Sequence, residues 1–149
     1  MALPLRLVAL ALAGPVVLGG CYSLTEPSFR PGASRDLFGS ISRRVTATAP
    51  LPGESACADP ELIDNAMRLT AATESDPEPR EVFIYTFRTR GWDESETLVD
   101  ACAAEYAAAN PEAIVRRVDV PVWRAFGADW SDELERELRA AFEEAQDAG

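Results

Sequence analysis

Apolar and polar positions along the chain follow two different periods. Behind Asp59-Pro60-Glu61, Leu62, Ile63, Ala66, Met67 and Thr70 fit a helical stripe. Asp at the N-cap, Pro in the first turn and an acid near the positive dipole end make that tripeptide a helix start. Met67, Leu69, Ala71 and Thr73 also fall two apart, as strand residues do. The run Val82-Phe-Ile-Tyr-Thr-Phe87 is β-rich and apolar on both parities. A connection of about six residues, Glu74 to Pro79, suits an antiparallel hairpin. We therefore expect one helical turn over 59–65 and strands at 66–73 and 80–89.

Asp93-Glu-Ser-Glu96 reads as a variant capping box that opens a helix. Leu98, Cys102, Tyr106 and Ala109 recur on one face of it, and Asn110-Pro111 stops it. Ile114 to Val120 alternates as a third strand and ends near Pro121. Trp123, Phe126 and Trp130 punctuate an expected loop around Gly127. Ser131 then caps a last helix, with Leu134, Leu138, Ala141, Phe142 and Ala145 at helical spacing. The order β-β-α-β-α implies an α+β body, a small mainly antiparallel sheet of about three strands with two helices on one face. Exposed, the 82–87 run would aggregate, so it belongs at the sheet centre with the third strand covering one edge.

The first 56 residues have another character. A single Arg6 precedes a twelve-residue apolar stretch, Leu7 to Leu18, and small residues follow. That stretch falls short of the roughly 20 residues a membrane-spanning helix needs, so residues 1–20 read as an export signal. Leu18-Gly19-Gly20-Cys21 resembles the bacterial lipobox. The resemblance implies cleavage before Cys21 and a diacylglycerol on its sulfur, a two-chain anchor that holds stably. The alternative is an ordinary cleaved signal with Cys21 as an incidental thiol. Residues 21–56 contain four prolines and carry a net charge of +1, whereas residues 57–149 carry −13. We expect a lipid-anchored flexible tether over 21–56, within which part of 37–45 is apolar enough to pack on the body, and a folded domain over 57–149.

Three cysteines is an odd number for an exported chain. With Cys21 lipidated, Cys57 and Cys102 remain as one pair, and an extracytoplasmic compartment lets a disulfide persist. The alternative is two buried thiols. A Cys ahead of an Asp-Pro turn, an aromatic strand and a helix with a central Cys resembles small extracytoplasmic proteins of high-GC bacteria. That resemblance implies no activity.

Composition narrows the chemistry. All 14 basic residues of the 149 are arginine, there is no histidine, and the net charge is −11. Missing His removes Ser-His and Cys-His nucleophile pairs, and missing Lys removes Schiff-base chemistry. The acidity argues against a nucleic-acid partner. Acids gather at 93–96 and 129–135, both at expected helix starts, without the alternating ligands of a calcium loop, so no metal or cofactor is expected. Arg88 and Arg90 share a strand face and could grip a carboxylate or phosphate, the alternative being neutralisation of nearby acids. Trp123 and Trp130, with Phe126, could form a stacking platform, the alternative being a core plug. No catalytic residue is named. The expectation is a membrane-anchored, extracytoplasmic envelope protein whose non-enzymatic domain meets an envelope partner or serves a structural role. The alternative is a small carboxylate-dependent hydrolase.

Overall fold

A computed structural model describes residues 31–87 and 91–148, with side chains from Asp36 onward. The elements are α1 (Pro31–Arg44), β1 (Thr46–Ala47), β2 (Leu51–Pro52), α2 (Pro60–Asn65), β3 (Ala66–Ala72), β4 (Arg80–Thr86), α3 (Trp92–Ala109), β5 (Val115–Val120), β6 (Trp123–Ala128) and α4 (Asp132–Asp147). The strands form one sheet in the order β1-β3-β4-β6-β5, with β2 on the same side of β3 as a second short piece. All pairings are antiparallel.

The α+β class and the antiparallel sheet stand as expected, but among the described residues six strands and four helices replace about three and two. The helices also lie on both faces rather than one. Strand alternation divides the core accordingly. Met67, Leu69, Val82, Ile84, Val118, Val120, Trp123 and Ala125 pack with α1 and α4. Phe83, Tyr85, Phe87 and Phe126 face the other way, with Leu62 of α2 and with Val99 and Cys102 of α3. A sheet apolar on both parities needs cover on both sides, which is why β4 reads as continuous hydrophobic sequence.

The β3–β4 hairpin forms as read, with Met67 opposite Ile84 and Leu69 opposite Val82. β4 is central, but its second neighbour is β6, and β5 takes the outer edge. Trp123–Ala128 is thus a strand, not the expected loop. Pro121 and Val122 make the two-residue turn between Val120 and Trp123. Val122 has φ 72°, a left-handed conformation that β-branched residues rarely enter and that a type II turn demands behind proline. Its carbonyl accepts the Phe87 N–H at 2.8 Å, which holds it there.

The expected tether over 21–56 is corrected for its second half. Leu37, Ile41 and Val45 are buried against α4 and the sheet, and β1 and β2 pair with β3. Arg43 and Arg44 reach Glu144 at 2.5 and 3.3 Å, and Arg44 reaches Glu137 at 3.2 Å, so both arginines seal the α1–α4 seam.

The capping box at 93–96 is also corrected. Gly91 is the N-cap of α3 and makes no side-chain cap bond, while Asp93 and Glu94 lie inside the first turn. Ser95 donates instead to the Trp92 carbonyl at 2.6 Å. Ser131 does cap α4, accepting the Leu134 N–H at 3.1 Å, and the expected stripe Leu134, Leu138, Ala141, Phe142, Ala145 is buried. Ser131→Ala should therefore cost about 1 kcal/mol in urea unfolding, with an unchanged m-value.

Candidate binding groove over the disulfide

The local sequence around Asp59 builds one wall of the site. Asp59 Oδ1 accepts the N–H groups of Glu61 and Leu62 at 2.9 and 3.1 Å, which starts α2 and turns Leu62 onto the sheet. The segment before it is held from below by Tyr85 of β4, itself fully buried. The Tyr85 hydroxyl accepts the Ala56 N–H at 3.1 Å and lies 3.1 Å from Ser55 Oγ. Ser55 Oγ in turn accepts the Cys57 N–H at 3.2 Å. Burial pushes the Tyr85 phenol above its ordinary range, against the opposing pull of its bonds to Ser55 and Ala56. The phenol therefore stays protonated and keeps its latch at neutral pH.

The second wall is α3, whose buried side carries Ser95, Val99 and Cys102. Cys57 and Cys102 are bridged, with Cα atoms 5.7 Å apart, as the cysteine count had suggested. The bridge staples α3 to the segment that leads into α2. The Tyr85 hydroxyl stands 3.6 Å from Cys102 Sγ, directly beneath it.

Above the bridge the walls leave an open groove of about 450 Å³. Leu98 and Ala101 give it an apolar floor over the buried Leu62 and the two cysteines, and Asp59 and Glu105 stand among the lining residues. The groove is open because α2 has only six residues against the 18 of α3 and leaves much of the α3 flank uncovered.

The charge around the groove is one-sided. α2 and its cap carry Asp59, Glu61 and Asp64, and α3 carries Asp93, Glu94, Glu96, Asp100 and Glu105, with no arginine in either. Among the described residues only Asp100 of these makes an ion pair, with Arg117. The arginines with described side chains, Arg43 through Arg139, each already hold at least one carboxylate.

The other residues singled out in the sequence do not join this site. Cys21, Arg88 and Arg90 lie outside the described residues. Trp123 and Trp130 are 3% and 2% exposed, so the stacking-platform reading is corrected to core. Trp123 packs on Phe142, with ring centroids 6.1 Å apart. Trp130 Nε1–H donates to the Glu81 carbonyl at 2.9 Å. Among the described residues no group of three or more acids or cysteines is placed to hold a metal ion. No helix among them is long and apolar enough to cross a membrane.

Sequence reasoning missed one buried charge. Arg124 of β6 is 3% exposed, with Nε to Ser95 Oγ at 3.0 Å and Nη2 to the Trp92 carbonyl at 2.9 Å. Its Nη1 meets Asp119 at 3.2 Å, and its guanidinium lies 3.7 Å from the Trp92 ring centroid. It fastens the first turn of α3 to the sheet. The signal was its parity, which places it on the same side of the strand as Phe126. The chain matches no protein-family model, no curated protein and no solved structure.

Proposed function

We propose that this chain is a lipid-anchored protein of the cell envelope, exported by residues 1–20 and tethered through Cys21. Its domain binds a partner, or serves a structural role, without turning over a substrate. The observation that carries the reading is the Cys57–Cys102 bridge. A structural disulfide suits an oxidising compartment, and pairing those two leaves Cys21, within its Leu-Gly-Gly-Cys context, as the third of three cysteines. Cys21→Ser should move the protein from the membrane fraction to the soluble fraction. Intact mass of the mature amino terminus reports the lipid directly, and an unchanged membrane-bound fraction would sink the anchor.

One observation favours a second reading, a carboxylate-dependent hydrolase: Asp59 and Glu105 line the same groove. Against it, Asp59 spends an oxygen on capping α2. Screening the purified chain against soluble glycoside and ester substrates separates the two readings.

A further inference from the structure

We infer that the groove between α2 and α3 receives a cationic peptide segment with an apolar anchor, presented by another extracytoplasmic protein. This deepens the binding half of the reading above and does not depend on the lipid. Three features point to that occupant. Leu98 and Ala101 present apolar surface beside the bridge, above the buried Leu62, so a ligand with one apolar side chain can cover them. About 450 Å³ lies in the range that admits a few side chains.

The third feature is charge. Asp59 and Glu105 flank that floor, and Glu61 and Asp64 extend the negative field along α2. The arginines with described side chains each hold carboxylates of the chain elsewhere, and none of them pairs with Asp59 or Glu105, so the two acids suit a cation brought by a partner. An arginine or lysine suits both halves of the site. Its aliphatic stem lies along apolar surface while its head reaches the acids at the edge. A neighbouring leucine or aromatic side chain then fills the floor. A simple polycation satisfies the acids but not the floor, and an apolar ligand the reverse.

The test uses the full-length chain and a fluorescein-labelled peptide of alternating leucine and arginine, followed by polarisation. A matched leucine–glutamate peptide serves as the counter-probe. Saturable binding of the arginine peptide is expected, with little for its acidic counterpart. Glu105→Arg should weaken it by roughly tenfold, the scale of a charge contact at an interface. Ala101→Phe, at an exposed helical position, should block the floor and weaken it at least as much. Glu143→Arg makes the same charge change on the exposed side of α4, across the sheet from the groove, and should shift affinity less than about twofold, since screening weakens charges over about 8 Å.

Three results would overturn the proposal. One is equal binding of the acidic peptide or none of either. Another is an equal loss from Glu143→Arg, which would mean only bulk attraction to an acidic protein. The third is self-association abolished by Glu105→Arg, which would make a second copy the occupant. Cys21→Ser should leave peptide binding intact, so failure of the anchor and failure of the groove are read separately.

Discussion

Gly127→Ala is expected to destabilise the domain by roughly 3 kcal/mol, a sum of overpacking and a lost buried hydrogen bond. A Cβ at that position would stand 2.2 Å from the Glu81 carbonyl oxygen and 2.4 Å from Trp130 Nε1. Neither can move aside easily. Glu81 is backbone of the central strand β4, and Trp130 is wedged in the core while donating to that same carbonyl. The β4–β6 pairing ends at Phe83 opposite Phe126, and the indole takes over where it ends. A methyl group therefore has to expel the indole. For a domain of this size the melting temperature should fall by on the order of 10 °C. A fall under about 2 °C would mean that the indole does not rest on Gly127.

The second large effect belongs to the bridge. Cys57 and Cys102 are 45 residues apart, and the loop they close holds α2, β3, β4 and the first half of α3. Opening it should cost about 4 kcal/mol on the chain-entropy account. That is a large share of a net stability of about 5–15 kcal/mol. The measurement is the melting temperature before and after reduction, with mass spectrometry to confirm free thiols. Cys57→Ala with Cys102→Ala should reproduce the reduced value. An unchanged midpoint in confirmed dithiol protein would show that Tyr85 and the α3 packing hold the loop unaided.

The sequence disclosed elements whose patterns were undiluted. The β3–β4 hairpin and α4 follow from periodicity and from the cap at Ser131, whereas α3 was found with its face misplaced, since Ser95, Val99 and Cys102 turn inward while Ala109 is exposed. β6 was illegible because Arg124 and Gly127 interrupt its alternation, and both are explained only by partners distant in sequence. Ser95 and Trp92 receive the guanidinium, and Trp130 fills the space over the glycine. α1 left a fainter trace, Leu37 and Ile41, with Val45 just past its end, spaced four apart among glycine, serines and arginines. Its polar look comes from Arg43 and Arg44, which answer acids on α4 about a hundred positions away. Of the candidate site, the cysteine pair was legible by counting. The groove was not, because it arises from the brevity of α2 beside a long α3.

The seam between α1 and α4 has a consequence for how the protein is born and how it bears load. A helix near the start of the described chain rests on one that ends at Asp147, so the core on that face cannot close until the final 16-residue helix has emerged. During synthesis the apolar edge of α1 must wait, uncovered, until α4 has followed it. Once the core is closed, tension applied from the amino-terminal side is taken first by that seam and its arginine–glutamate stitches. The strands behind it are loaded only after α1 has peeled away.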